Sequence, residues 1–182
     1  MKVAAVFPNG LRFGRGVLVR DGVVVTICRA VQGATRTSIK LPGNMSPERA
    51  AAVGVSGPQY DVPAVLGRQD TQHDLCELIA SGLRGRAVEI GDSDSLQVGE
   101  RVYTVGATQG LQPMAVDNGV VSSFPEFDGR KYIASSAIVA PVANGAGLFN
   151  EKQQLVGVTV RFHVDGGDRN VAVPAKWVAQ FR

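Results

Sequence analysis

The sequence predicts an all-β protein, and three observations support this fold class. Short apolar runs rich in β-branched residues recur at intervals of roughly 8–12 residues, with Gly, Pro, Asn or Asp between them. An Asp21-Gly22 pair separates two such runs within GVLVRDGVVVT (16–26), which is a strong hairpin signal. Helix signals are confined to two short stretches. Regularly spaced short strands of this kind are typical of a β-sandwich or a β-barrel.

The apolar runs predict strands along most of the chain. After the hairpin at 16–26, the predicted strands are TSIKL (37–41), VPAVLG (62–67), LCELIA (75–80), ERVYTVG (100–106), residues 114–124, KYIAS (131–135), QLVGVTVRF (154–162) and NVAV (170–173).

Two short helices are predicted beside these strands. The tripeptide SPE (46–48) can cap a helix that continues through RAAAV (49–53), with proline at its first position. After Pro174, the segment AKWVAQF predicts a C-terminal helix at 174–182. Trp177 and Phe181 are four residues apart, so we expect them to share one helix face that docks on the strands.

Composition and charge exclude several classes of protein. Of the 182 residues, 45% are hydrophobic and 19% are charged, so the chain can build a core and is not predicted to be disordered. The net charge is +3 and the charges are scattered, which disfavours nucleic acid as a partner. No apolar run reaches the length of about 18 residues that a transmembrane helix needs, so we expect no membrane partner. The start, MKVAAVFPNG, lacks an export signal, which predicts a cytoplasmic protein unless the chain is a fragment of an exported one.

The two cysteines, Cys28 and Cys76, show no metal-binding spacing, and they are too few for a disulfide scaffold. We therefore expect two buried free thiols, no metal site and no cofactor.

Several segments, taken in order, resemble the trypsin-like serine proteases of the HtrA/Deg type. The resemblance implies two six-stranded antiparallel β-barrels with a cleft between them, in one domain covering 1–182. It places the N-terminal barrel at about 1–90, the C-terminal barrel at about 98–173 and the helix at about 174–182. The matching segments are 14–41 (GRGVLVRDGVVVTICRAVQGATRTSIKL), 62–79, 88–124, 135–160 (SSAIVAPVANGAGLFNEKQQLVGVTV) and 170–178.

The resemblance also identifies the positions of a catalytic triad, of which only the aspartate is intact. It places Asp74 at the aspartate position, Arg29 (in TICRAV) at the histidine position and Asn144 (in VANGAG) at the serine position. A guanidinium remains protonated near neutral pH and cannot act as a general base, and an amide has no hydroxyl to activate. The oxyanion-hole positions are Val142 and Asn144, where the family has glycine at the first, and a β-branched residue resists the positive φ that glycine allows.

From these substitutions we expect a chain that is not an enzyme, that is, a pseudoprotease that binds a protein or an extended peptide in the cleft between the barrels. The bound peptide would add as a strand, with residues 157–162 and 137–142 as the walls. Two alternatives remain open. One is an active serine- or cysteine-type hydrolase with a non-standard site, and the other is a basic surface that binds nucleic acid.

Three side-chain placements follow from the same reasoning. Arg29 can reach the carboxylate of Asp74, so we predict a salt bridge between them. His73 directly precedes Asp74, and the resemblance places both residues on one strand. Alternation along that strand would turn the His73 imidazole away from the Asp74 carboxylate and toward solvent. His163 is expected in a surface loop beyond the last long strand.

Overall fold

The protein is described here from a computed structural model, which covers residues 1–41, 61–107, 114–137, 144–164 and 167–182. The expected helix at 46–53 lies outside these ranges. The chain divides into two compact units. The N-terminal unit comprises Met1–Val88 with Phe181–Arg182, and the C-terminal unit comprises Glu89–Gln180.

The N-terminal unit is a closed antiparallel barrel. Its sheet has the order β2-β1-β5-β6-β7-β4-β3. Only Gly16 separates β2 from β3, so the first and last members of that order are two halves of one bent strand, and six strands close the barrel. Its strands are β1 (Lys2–Phe7), β2 (Gly10–Arg15), β3 (Val17–Arg20), β4 (Val23–Ile27), β5 (Arg36–Lys40), β6 (Asp61–Asp70) and β7 (Leu75–Ile79).

Gly16 permits the bend between β2 and β3 because the interior is packed tightly against its backbone. A Cβ at this position would lie 2.4 Å from Cγ1 of Val24 and 3.1 Å from Cγ2 of Val3. The hairpin predicted at Asp21-Gly22 is confirmed: Gly22 has a φ of 72° between β3 and β4, which glycine adopts without a steric penalty.

The C-terminal unit is also built on six strands, in the order β12-β9-β8-β13-β14-β15. Backbone hydrogen bonds between Ile133 and Ala172 join the strands at the two ends of that order. The strands are β8 (Arg101–Ala107), β9 (Met114–Ser123), β12 (Ala134–Ser135), β13 (Gly147–Asn150), β14 (Leu155–Val164) and β15 (Gly167–Pro174), with a small separate hairpin of β10 (Glu126–Phe127) and β11 (Arg130–Lys131).

Each barrel has its own apolar core, which confirms the predicted fold class. Buried valines, leucines and isoleucines fill the interiors, among them Val24, Ile39 and Leu78 in the N-terminal unit and Val102 and Leu148 in the C-terminal unit. In the described part of the chain, no helix is long and apolar enough to cross a membrane.

The C-terminal helix differs from the expectation in detail. It consists of two short 3-10 segments, Ala175–Trp177 and Ala179–Phe181. Phe181 is buried, at 1% exposure, but Trp177 is 38% exposed, so the two residues do not share one buried helix face. The reason is helix type: a 3-10 segment turns faster than an α-helix, and a break between two segments removes the i,i+4 alignment.

Candidate functional site

Arg29 and Asp74 form the predicted salt bridge in the N-terminal unit. Arg29 lies in a 3-10 turn, Cys28–Ala30, that follows β4, and Asp74 ends the turn between β6 and β7. The Arg29 Nε donates to Oδ2 of Asp74 at 2.5 Å, and the Arg29 backbone N–H donates to Oδ1 at 3.0 Å. One residue therefore satisfies both oxygens of the carboxylate, which confirms the prediction and excludes a guanidinium swung into solvent.

The backbone and the surroundings of Asp74 hold its carboxylate in this position. Asp74 has a φ of 57°, a left-handed conformation that aspartate tolerates better than most residues, and its carbonyl accepts the Cys28 N–H at 3.0 Å. Burial raises the pKa of Asp74, and the contacts with Arg29 lower it without cancelling that rise. The Asp74 side chain is 14% exposed, against 43% for that of Arg29.

Cys28 and Cys76 form a disulfide bond, so the expectation of two free thiols is wrong. The bond joins the residue before Arg29 to the residue two positions after Asp74, and both cysteines are buried. The sequence could not show this contact, because 48 residues separate the cysteines and only the pairing of β4 with β7 brings them together. With both sulfurs oxidised, neither one is a thiolate nucleophile.

His73 does not point into solvent, and that expectation is also wrong. Its side chain is 16% exposed, and its Nδ1 lies 2.7 Å from Oδ2 of Asp70, whose other oxygen accepts the His73 N–H at 3.1 Å. The alternation argument failed because residues 71–74 form a turn, and β7 begins only at Leu75.

In the C-terminal unit, Asn144 caps the edge of β14. Its Oδ1 accepts the backbone N–H of Arg161 at 2.8 Å. The next two residues continue along the same edge: Gly145 N–H donates to the Thr159 carbonyl at 2.7 Å, and Thr159 N–H donates to the Ala146 carbonyl at 2.8 Å. Val142, the other predicted oxyanion-hole position, lies outside the described residues, as does most of the predicted wall at 137–142.

His163 lies within β14 rather than in a loop, which corrects its expected position. The hairpin continues two residues farther than the polar sequence suggested, and His163 pairs with Asp168 across it. The imidazole Nδ1 is 3.2 Å from Oδ1 of Asp168, and the guanidinium of Arg161 binds the other oxygen of that carboxylate. Hydrogen bonds from Arg161 and His163 lower the pKa of Asp168, so it stays ionised.

The arrangement around Arg29 cannot transfer protons near neutral pH, because a guanidinium keeps its proton. Imidazole–carboxylate pairs, the arrangement that orients a general base, occur at His73–Asp70 and His163–Asp168. Among the residues that the structure describes, no group of three or more His, Cys, Asp and Glu side chains could hold a metal ion.

Comparison with known proteins relates nearly the whole chain to one family. Residues 14–158 match the family model described as "Trypsin-like peptidase domain". A "Probable periplasmic serine endoprotease DegP-like" from Pseudomonas putida is 27% identical over 159 residues, covering 85% of this chain and 30% of that protein. A protein of the same name from Hahella chejuensis is 25% identical over 159 residues, with the same coverage of both chains. The chain spans about a third of the length of the curated relatives that it matches.

Solved structures show the same fold at low sequence identity. "HtrA-type protease AlgW with tripeptide" aligns with a TM-score of 0.78 at 18% identity, covering 98% of this chain and 57% of that one. The serine endoprotease from Yersinia pestis aligns with a TM-score of 0.72 at 18% identity, covering 98% and 59%.

These comparisons overturn the expectation that the chain is not an enzyme. The relatives are named as serine proteases and endoproteases, which indicates the protease class. The expectation depended on residue identity at Arg29 and Asn144 alone. Two positions do not determine which groups of a folded chain move protons, and the imidazole–carboxylate pairs were not visible in the sequence.

Proposed function

Because this chain belongs to the trypsin-like peptidase domain family, we propose that it acts on polypeptides as a hydrolase of the HtrA type with a non-standard site. The observation that carries the proposal is the family match over residues 14–158, together with relatives named as serine endoproteases. The departure from the family lies at positions 29 and 144, so the proposal has two parts: how a polypeptide binds, and which group takes the proton.

Binding is proposed to occur by strand addition at the edge of β14. One side of β14 pairs with β15 from Gly157 to Val164. On the other side, within the described residues, β13 pairs as far as Val158, and Gly145 and Ala146 extend the hydrogen bonds to Thr159. Beyond that point Asn144 presents an amide oxygen to the N–H of Arg161, as the carbonyl of a neighbouring strand would. An extended polypeptide would replace this oxygen with its own carbonyl and continue along the strand.

Hydrolysis is proposed to use an imidazole as the general base, because the guanidinium of Arg29 cannot accept a proton. A neutral histidine that donates its Nδ1–H to an aspartate presents Nε2 as the proton acceptor, and His163, which lies on β14 itself, has such an aspartate in Asp168. The imidazole takes a proton from an attacking water, whose oxygen bonds to the carbonyl carbon. The C–N bond then breaks, and the proton passes to the departing amine.

The binding step is tested by removing the oxygen that occupies the strand edge. Replacing Asn144 with alanine removes the bond to Arg161, which we expect to tighten binding of a fluorescein-labelled extended peptide by about 2- to 10-fold, the value of one hydrogen bond of about 0.5–1.5 kcal/mol. Asn150→Ala, which removes an amide bonded to Gln154, is the matched control and leaves affinity unchanged. Equal affinities for wild type and Asn144→Ala would contradict strand addition at this edge.

The hydrolytic step is tested by following cleavage of an unfolded protein by mass spectrometry. Replacing His163 with glutamine is expected to reduce kcat/KM by at least about 100-fold, as loss of a general base does. The Arg29→Met variant is the control and keeps its turnover, because a guanidinium does not accept the proton. No cleavage by the wild-type chain, or unchanged cleavage by the His163→Gln variant, would refute this mechanism and leave the binding measurement interpretable.

A further inference from the structure

Three cations lie in one row across three adjacent strands of the N-terminal unit. Lys2 of β1 is directly opposite Arg15 of β2 on one side and directly opposite Lys40 of β5 on the other. Like charges that face each other across strands destabilise a sheet, by up to about 1 kcal/mol for a close pair. Burial and the charges of Lys40 and Arg15 together lower the pKa of Lys2. The row of cations therefore lowers the stability of the fold, and the pairing of the strands does not require it.

Exposed apolar side chains lie on the same face, beside the row. Alternation along the strands places Val6, Leu11 and Phe13 on the face that carries Lys2, whereas Val3 and Ala5 point into the core. The three apolar residues are 40%, 53% and 46% exposed, in the order given. They are neighbours, because Val6 is opposite Leu11 and the next pair along contains Phe13.

The charges and the apolar residues form one continuous surface. The ammonium of Lys2 lies 3.7 Å from the centre of the Phe13 ring, a cation–π contact that joins the two sets. Arg36, opposite Val6 on β5, adds a fourth cation at the far end. Among the described residues, Asp61 is the negative group that contacts one of these cations, and it binds Lys40 at 2.8 Å. Because the surface carries these four cations, its net charge is positive. We call this face, comprising Lys2, Val6, Leu11, Phe13, Arg15, Arg36 and Lys40, the basic-apolar face.

We propose that the basic-apolar face is a docking site for an acidic polypeptide segment that also carries apolar side chains. Adjacent strands are about 4.8 Å apart, so the row of three cations spans roughly 10 Å. Carboxylates at alternate positions of an extended peptide are roughly 7 Å apart and can reach cations at both ends of the row. Leu11 and Phe13 supply the contact for an apolar side chain beside them. Acidic protein fits this pairing better than nucleic acid or lipid, because the apolar trio lies between charges at both of its ends.

This site is distinct from the β14 edge of the proposed function, since it uses only strands β1, β2 and β5. The test measures binding of a fluorescein-labelled peptide that alternates glutamate and phenylalanine to the full chain, by fluorescence anisotropy. Lys2→Glu combined with Arg36→Glu is expected to weaken binding by at least tenfold, and Leu11→Ser with Phe13→Ser by a similar factor. Added salt is expected to weaken the wild-type complex, because ions screen exposed charges and the screening length shortens from about 10 Å at 0.1 M to about 3 Å at 1 M.

The control changes an exposed cation and an exposed apolar residue elsewhere. Arg86 and Val98 are exposed and lie outside the face, so Arg86→Glu with Val98→Ser should bind the peptide as the wild type does. A lysine–phenylalanine peptide of the same length should not bind. Equal losses in control and face variants, or no binding of the acidic peptide, would overturn the proposal. So would binding of duplex DNA or phosphatidylserine vesicles at the face when the acidic peptide does not compete.

Discussion

Removing the disulfide is expected to destabilise the N-terminal unit by about 4 kcal/mol. The bond between Cys28 and Cys76 closes a loop of 48 residues, and loop-closure entropy for a chain of that length corresponds to about 4 kcal/mol at 25 °C. The physical reason is that the cross-link restricts the unfolded chain far more than the folded one. Replacing both cysteines with alanine removes the restriction and leaves the sheet pairing of β4 with β7 intact.

The assay is urea denaturation followed by far-UV circular dichroism, with Trp177 fluorescence recorded in parallel. The chain has a single tryptophan, which lies in the C-terminal unit, so its fluorescence reports on that unit whereas dichroism reports on both. With a urea slope of about 2 kcal/mol per molar, the dichroism midpoint should fall by about 2 M.

Single alanine variants separate the cross-link from side-chain packing. Each single variant also lacks the disulfide, so it should be within about 1.5 kcal/mol of the double variant. A double variant that loses less than about 1 kcal/mol would refute the argument from loop length. A single variant as stable as the wild type would refute it as well.

Three further predictions concern charged groups of the N-terminal unit. Glu77 is 3% exposed. Burial raises its pKa, but its hydrogen bonds and ion pairs with Arg68 and Arg20 outweigh that effect and lower the pKa overall. Replacing Glu77 with glutamine should therefore lower the free energy of unfolding at pH 7 by about 1–3 kcal/mol, as measured by urea denaturation. Because the folded-state pKa of Glu77 is lowered, its stabilising effect is complete above the unfolded pKa and is lost as the pH falls through the lower folded-state pKa. The difference between wild type and variant should therefore shrink progressively as the pH falls below about 4. Arg29→Met should raise the pKa of Asp74 further, because the cation that opposes burial is gone, and carbon-13 NMR titration of the carboxyl group measures this. Lys2→Gln should raise stability by a few tenths of a kcal/mol by relieving the cation row, and an unchanged or lower thermal midpoint would contradict that reasoning.

The local sequence pattern predicted most of the strands of both barrels. Apolar, β-branched runs bounded by turn residues can be recognised from a few consecutive residues, without knowledge of their partners. The pattern missed β1 and β2. Strand β1 (Lys2–Phe7) has two alanines among its apolar residues, and β2 is mostly exposed. It also missed the short β13, which pairs with β8 and β14 on its two sides. In these strands the pairing partners, rather than the residues themselves, determine the conformation.

The candidate site shows the same division. The resemblance placed Arg29 and Asp74 at neighbouring positions of the triad, which was sufficient to predict their ion pair. The chemistry of the guanidinium alone excluded Arg29 from base catalysis. The disulfide, the imidazole–carboxylate pairs and the capping of Arg161 by Asn144 needed the tertiary structure. Each of these contacts depends on the register of a strand pair or on a tight turn, and such geometry results from the packing of the whole barrel. The sequence by itself therefore determined the architecture and the chemistry of single side chains, and only the fold decided which side chains meet.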